Sequence, residues 1–134
     1  MKIDKEGKEI TWHYGGNASA GDLLGRVVIK VDQSDEEIIF HFEDGYVARF
    51  YHEQDCCESV WVEDVNGYWD DLIGVPLLVS DERCEVGARG EWGDTSTYTF
   101  YTFRTNRGSV DVRWFGSSNG YYSESVDLLL YKEV

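Results

Sequence analysis

Basic residues are scarce in this chain, and none lies between Arg49 and Arg83. The 134 residues contain 12 Lys and Arg against 26 Asp and Glu, which gives a formal net charge of −14. Nine of these acids fall in the stretch without a basic residue. Such a surface repels DNA, RNA and anionic membranes, whereas it attracts divalent cations and basic proteins, nucleic-acid-binding proteins in particular. We therefore expect neither direct nucleic-acid binding nor membrane binding.

Cysteines and long apolar runs are also scarce. Cys56, Cys57 and Cys84 do not have the spacing of a disulfide framework, and adjacent cysteines rarely bond each other. The N-terminus has no apolar segment of the kind found in signal peptides, and no run approaches the roughly 18 apolar residues of a membrane-spanning helix. These absences predict reduced cysteines and a cytoplasmic protein.

Hydrophobic residues make up 42% of the chain and aromatic residues 15%, which indicates a packed globule of one domain over residues 1–134. Residues 1–22 are predicted to be an irregular segment with a short strand at 9–14, and residues 24–131 a β-rich core. Strands are predicted at 26–31, 37–42, 46–51, 60–62, 77–84, 97–105, 109–115 and 121–131. Residues 67–74 predict a helix of about two turns, and residues 85–96 a polar loop.

Turn residues predict how these strands connect. Asp44-Gly45 predicts a two-residue hairpin, and the segments Asn106-Arg107-Gly108 and Ser117-Ser118-Asn119-Gly120 predict two further hairpins in succession. The expected fold is mainly β, an antiparallel meander curled into a sandwich or partial barrel with one short helix.

The densest group of reactive side chains is Tyr51-His52-Glu53-Gln54-Asp55-Cys56-Cys57-Glu58. Zinc sites usually combine two pairs of Cys or His spaced by two to four residues, and only His52 with Cys56 fits here. A weak divalent-ion site fits oxygen ligands better. Its candidate ligands are Glu58, Glu63, Asp64 and either Asp70 or Asp71. We predict no cofactor, with a divalent metal ion as the alternative.

Catalysis is disfavoured at the same residues. A thiolate of Cys56 or Cys57 next to His52 would be disfavoured by the surrounding carboxylates, so one cysteine is expected to be a buried apolar residue and the other to face a polar pocket. Adjacent acids such as Glu63 and Asp64 point to opposite faces of a strand. Asp70 and Asp71 fall in the first turn of the predicted helix, where acidic residues interact favourably with the helix dipole.

Several segments resemble a family of short proteins of unknown function found in bacteriophages and prophages. The resemblance covers residues 24–127. Two dense segments carry it: Tyr51-His52-Glu53-Gln54-Asp55-Cys56-Cys57-Glu58-Ser59-Val60-Trp61 and Arg113-Trp114-Phe115-Gly116-Ser117-Ser118-Asn119-Gly120-Tyr121-Tyr122-Ser123-Glu124-Ser125-Val126-Asp127. It continues through residues 71–78 and 99–103. It implies a setting, the cytoplasm of an infected bacterial cell, but no catalytic residues.

Two functions follow as expectations, and an enzyme is a third, weaker alternative. The first is a non-enzymatic acidic protein that occupies a basic site on a host protein, such as a nucleic-acid-processing or defence complex. Residues assigned to that surface are Glu53, Asp55, Glu58, Trp61, Glu63, Asp64, Tyr68, Trp69, Asp70, Asp71 and Trp92. The alternative is a β-pocket that binds a nucleotide signal or a divalent ion, lined by His52, Cys56, Cys57, Trp61 and Tyr122.

Overall fold

The computed structural model describes residues 1–11, 15–87, 89–90 and 92–134. Within these residues it is mainly β, with nine strands and two single-turn 3-10 helices, Ala20–Leu23 and Trp69–Leu72. The strands are β1 Lys2–Ile3, β2 Val28–Gln33, β3 Ile38–Phe42, β4 Tyr46–Tyr51, β5 Ser59–Asn66, β6 Val79–Val86, β7 Thr95–Arg104, β8 Ser109–Ser118 and β9 Asp127–Glu133. The predicted fold class is therefore confirmed, and the predicted helix is a 3-10 turn of four residues.

The strands form two antiparallel sheets. The first sheet has the order β1-β9-β4-β3-β2, and the second has the order β5-β8-β7-β6. Buried side chains of both sheets join one apolar core, as expected of a sandwich. No helix in the described part of the chain is both long and apolar enough to cross a bilayer.

Aromatic side chains join the two sheets because alternate residues of each strand point inward. In β3, Ile38, Phe40 and Phe42 are buried. The Phe40 ring lies 4.9 Å from the Phe103 ring across the core, between ring centroids. Burying a phenylalanine side chain stabilises a fold by roughly 1.5–3 kcal/mol. This layer fixes which face of the second sheet remains outside.

Two of the predicted hairpins are confirmed. Asp44-Gly45 connects β3 to β4, with Gly45 at a φ of 89°, and residues 105–108 connect β7 to β8. The third predicted hairpin is wrong: β9 pairs with β4 and β1 in the first sheet rather than with β8. Because β8 already has β7 on one side and β5 on the other, it offers β9 no free edge.

The N-terminal segment is more ordered than predicted. β1 pairs with the end of β9, and the Ala20–Leu23 turn buries Ala20 and Leu23. Of the strand predicted at 9–14, Glu9 forms an isolated bridge with Ile3, and residues 12–14 lie outside the described residues. The predicted loop at 85–96 is shorter, because β6 continues to Val86 and β7 starts at Thr95.

Candidate functional site

A buried hydrogen-bonded pair, His52 and Glu58, lies at the centre of the His-Cys-Cys motif. The side chains of His52 and Glu58 are 4% and 0% exposed, and His52 Nε2 lies 2.9 Å from Glu58 Oε1. His52 Nδ1 lies 2.7 Å from the carbonyl oxygen of Ser125. The turn between β4 and β5 positions Glu58, whereas the segment leading into β9 supplies the carbonyl. The pair therefore ties the two chain segments together.

Hydrogen bonds keep the Glu58 carboxylate ionised. Burial disfavours the Glu58 carboxylate, but hydrogen bonds from the Asp55 amide, from His52 and from the Cys56 amide outweigh burial and lower the pKa of Glu58 to about 2. The Asp55 and Cys56 amides donate to it at 2.6 and 3.1 Å. An ionised carboxylate and a carbonyl only accept hydrogen bonds. His52 satisfies both when both ring nitrogens carry a proton, as in an imidazolium.

This arrangement corrects the expected position of Glu58. It was predicted to be part of the acidic surface, but its carboxylate is inside the fold and is hydrogen-bonded to His52. Carboxylates are buried only when they are paired and hydrogen-bonded. Glu58 is therefore not accessible to a surface partner, and its role is to order the turn at residues 52–58.

The two adjacent cysteines differ from the expectation that they are reduced and not bonded to each other. Cys56 and Cys57 are joined by a disulfide, and both are exposed, so neither is a buried apolar residue. Gln54 supports this turn, since its Nε2 donates to the carbonyl oxygens of Cys56 and Glu58 at 3.2 and 2.7 Å. Cys84 on β6 is a free, exposed thiol.

The predicted ligand pocket is not assembled around this motif. His52 lines a depression of about 250 Å³ together with Ser34, Glu36, Glu37, Arg49 and Tyr51. Cys56, Cys57 and Tyr122 do not line it, and the Tyr122 ring packs edge-on against Tyr121. Both nitrogens of His52 are already engaged in hydrogen bonds within the fold. In the described ranges, no group of three or more His, Cys, Asp or Glu side chains is placed to hold one. The prediction of no cofactor stays a prediction.

An aromatic row crosses the outer face of the second sheet. Trp61 of β5, Phe115 of β8 and Tyr98 of β7 are register partners across three strands. Their ring centroids are 5.0 Å apart for Trp61 and Phe115, and 5.1 Å apart for Tyr98 and Phe115. Trp61 is 36% exposed, and the other two rings are half-buried. We call these three residues the aromatic row.

An acidic depression of about 480 Å³ adjoins the aromatic row on the same face. Four acidic residues line it, Asp64, Asp81, Glu82 and Asp111. The Glu82 side chain lies on the opposite face of the sheet with its register partner Tyr101, so the outer carboxylates are those of Asp64, Asp81 and Asp111. Its two guanidinium groups already have carboxylate partners outside this set: Arg113 lies 2.9 Å from Glu63, and Arg83 lies 3.7 Å from Glu85. Among the described residues, none of the four lining carboxylates makes a salt bridge. The depression therefore keeps uncompensated negative charge.

Tyr101 holds Glu82 from the inner side of the second sheet. Its ring is buried and stacks on Phe103, and its hydroxyl donates to Glu82 Oε1 at 2.6 Å. Burial, followed by the hydrogen bond and charge of Glu82, raises the pKa of Tyr101 far above its ordinary value. The phenol therefore stays a neutral donor that holds Glu82 at the edge of the second sheet.

The structure separates the other residues predicted for the surface. Trp61, Glu63 and Asp64 lie on β5 within the outer face, whereas Glu53 and Asp55 precede β5 and the set Tyr68, Trp69, Asp70 and Asp71 follows it. Tyr68 and Trp92 are 77% and 87% exposed. Trp69 is half-buried and donates to Gln33 Oε1 at 2.9 Å. The residues predicted for the surface therefore belong to several elements rather than to one strand.

Sequence reasoning missed Tyr98, Phe100, Phe115, Asp81 and Asp111 as surface residues. One available signal was that β7 alternates aromatic residues on both faces, since Tyr98 and Phe100 occupy the face opposite Tyr101 and Phe103. A strand that covers a core on one side needs no aromatic residues on the other. The pairing of β8 with β5 and β7 brings these residues together, and no local sequence pattern predicts that pairing.

The residues of both sites fall within one range that matches a known family model. Residues 21–128 match a family described as a domain of unknown function, DUF7448. The chain belongs to the DUF7448 family. No curated protein and no solved structure matches the chain. In this DUF7448 protein, β1 lies outside the matched range, and the match ends within β9.

Proposed function

We propose that this DUF7448 protein is a non-enzymatic binding protein that occupies a basic site on another protein with the outer face of its second sheet. The observation that carries the proposal is the juxtaposition of the aromatic row and the acidic depression on that face. Interfaces concentrate binding energy in a few aromatic anchors, and charge complementarity sets the rate and specificity of association. The two features supply these two contributions side by side.

The charge distribution supports a basic partner. The carboxylates of the depression have no salt-bridge partner in the described part of the chain, so a lysine or arginine of a partner would be their first counter-ion. At a net charge of −14, electrostatic attraction raises association rates with basic proteins by about 10- to 1000-fold at low salt. Nucleic acid itself would be repelled.

The resemblance to phage and prophage proteins directs the proposal to a particular setting. A virus-encoded acidic protein would meet its target in the cytoplasm of an infected bacterial cell. Because nucleic-acid-binding proteins carry the basic grooves that fit such a face, we propose a nucleic-acid-processing or defence complex as the target and inhibition by occupancy as the effect. The polar atoms of the His52–Glu58 pair are hydrogen-bonded to each other and to backbone groups inside the fold. This supports a binding role over catalysis at that pair.

The proposal is tested by quantitative capture from bacterial lysate at about 50 mM and about 500 mM NaCl, where the Debye length falls from about 14 to about 4 Å. The outer-face variant is Asp64→Asn with Asp111→Asn. The matched control is Glu36→Gln with Glu43→Gln, which removes the same charge from exposed positions outside that face. We expect a basic protein that the wild type and the control capture at low salt and that the outer-face variant loses.

Equal loss of that partner from both variants would show that net charge, rather than this face, governs binding. Absence of any salt-sensitive basic partner would contradict the proposed function itself. A partner whose recovery is unchanged by salt and by the outer-face variant would also contradict it.

A further inference from the structure

We infer that β6 is an acceptor strand to which the partner adds an extended basic segment as a fifth strand of the second sheet. This inference rests on the proposed function and specifies how the partner is held. β6 ends the strand order of the second sheet. It pairs with β7 residue by residue, from Val79 opposite Arg104 to Val86 opposite Thr97, without a bulge. The result is a regular strand of eight residues. Its start is covered by the Ala20–Leu23 turn, since Ser80 Oγ donates to the Ala20 carbonyl at 2.6 Å, and residues 81–86 form its open part.

The hydrogen-bond pattern shows which backbone groups of β6 face outward. The Gly87 amide donates to the Ser96 carbonyl, in line with the register of β6 and β7. In an antiparallel pair, hydrogen-bonded residues alternate with residues whose amide and carbonyl point the other way. Glu82, Cys84 and Val86 therefore present their backbone groups to the open side of the sheet. Among the described residues, no other backbone group bonds to these three.

The other sheet edges are interrupted or partly covered. β5 has an irregular register between Val62 and Asp64, and the Val62 amide donates to the Asp35 carbonyl. β2 has a register shift between Val28 and Lys30, and the Val28 carbonyl accepts from the Gly74 amide. Bulges and covering loops are the means by which proteins protect edge strands. β1 has only two residues, so β6 offers the longest regular edge.

Charge specifies the occupant of this edge. The exposed side chains Asp81, Glu82 and Glu85 outnumber Arg83, which lies over the Phe100 ring at 4.5 Å. A strand added to β6 would place alternate side chains on the outer face beside the acidic depression, which Asp81 also lines. Lysine or arginine at those positions would be neutralised there. A second copy of this chain fits less well, because it would bring another acidic edge and a further charge of −14.

The test uses a defined probe, the peptide acetyl-Lys-Thr-Lys-Val-Lys-Thr-Lys-Val-amide, with the full-length protein at about 50 mM NaCl. A matched peptide has alternate backbone amides N-methylated, so it keeps the charge but cannot complete a strand ladder. We expect the first peptide to bind and to shift and protect the amides of Glu82, Cys84 and Val86 in NMR spectra. We expect the methylated peptide to bind at least about tenfold more weakly, which is the loss of about one net hydrogen bond.

A protein variant provides an independent test of strand addition. Cys84→Pro removes an outward amide without removing a bond to β7, and proline is tolerated at such edge positions. Cys84→Thr keeps the amide and serves as the control. We expect Cys84→Pro to lose peptide affinity by about tenfold and Cys84→Thr to retain it. If Cys84→Pro does not fold, the comparison of the two peptides decides.

Any of four results would overturn the inference. The two peptides could bind equally well, or binding could leave the β6 amides unshifted. The unmethylated peptide could fail to bind, or the free protein could form a dimer through β6. The proposed function fails separately. If a basic lysate partner is lost by Asp64→Asn with Asp111→Asn but kept by Cys84→Pro, the acidic face binds without strand addition.

Discussion

At the residue scale, His52 and Glu58 show how one set of residue types serves different chemistry depending on burial. In the sequence, His, Cys and carboxylates within seven positions resemble a metal or nucleophile centre. In the fold, the imidazole and the carboxylate are hydrogen-bonded to each other inside the protein, with three backbone groups completing their hydrogen bonds. The cysteines project outward. Side-chain type was readable from the sequence, but burial, which decides the role, was not.

Glu58→Gln is expected to destabilise the protein, because it leaves His52 with a weaker, uncharged partner in a buried site. The pKa of Glu58 is about 2 in the fold against an ordinary value of 4.5. A group with a lowered pKa contributes stability above its unfolded pKa, and this contribution is lost as the pH falls through the folded value. The difference in unfolding free energy between wild type and Glu58→Gln should therefore be largest above about pH 4.5 and shrink towards pH 2.

Urea unfolding at several pH values measures this difference. Glu36→Gln, at an exposed position, is the matched control and should follow the wild type at each pH. A difference between wild type and Glu58→Gln that stays constant from pH 5 to pH 2 would contradict the assigned role of the carboxylate.

At the element scale, the core layer between the sheets is set by the inward residues of β3, β4 and β7. Phe40 is fully buried and contacts the rings of Phe50, Trp69 and Phe103. Phe40→Ala should lower the free energy of unfolding by about 3–5 kcal/mol, since it removes apolar contacts and leaves a cavity. Tyr68→Ala, at a side chain that is 77% exposed, should change it by less than about 0.5 kcal/mol. Chemical denaturation measures both, and similar values for the two variants would contradict the described core.

Glycines at turns give a second prediction at this scale. Gly67 and Gly74 both have positive φ, 116° and 83°, so alanine at either position costs about 1–2 kcal/mol in backbone energy. A Cβ at Gly67 would also collide with the Ser109 carbonyl, whereas a Cβ at Gly74 would meet nothing within 4 Å. Gly67→Ala should therefore be clearly the more destabilising variant in thermal unfolding. The reverse order would contradict the packing of the β5 end against β8.

Local signals predicted the elements better than their arrangement. Alternation identified β3 and β7, and Asp44-Gly45 identified the turn of a hairpin, because these features depend on neighbouring residues. The transfer of β9 to the first sheet depends on which sheet has a free edge, which no local pattern records. The same limit explains the missed site. Trp61, Phe115 and Tyr98 are far apart in sequence, and only the pairing of β5, β8 and β7 aligns them.

At the scale of the whole molecule, the net charge of −14 is distributed among features with different roles. Glu58 is internal, Glu63 is paired with Arg113, and the carboxylates of the acidic depression lack salt bridges among the described residues. Composition predicted a basic partner. It did not predict where that partner would bind, because location depends on which acids lack a counter-ion after folding.

Trp61→Ala tests whether the aromatic row anchors the partner. Truncating an anchoring tryptophan typically costs about 2 kcal/mol or more of binding free energy, which is roughly 30-fold in affinity. The effect should appear mainly as faster dissociation in surface plasmon resonance with the captured partner. Trp92→Ala, at the more exposed tryptophan, is the control. An equal loss of affinity in both variants would show that the aromatic row is not the anchor.

Hydroxyl-radical footprinting of the protein with and without its captured partner tests the central claim most directly, because it reads the solvent access of individual aromatic side chains. We predict that binding protects Trp61, Tyr98 and Phe115 while Tyr68, at the end of β5 away from the aromatic row, keeps its reactivity. Protection of Tyr68 with no change at the aromatic row would contradict the account.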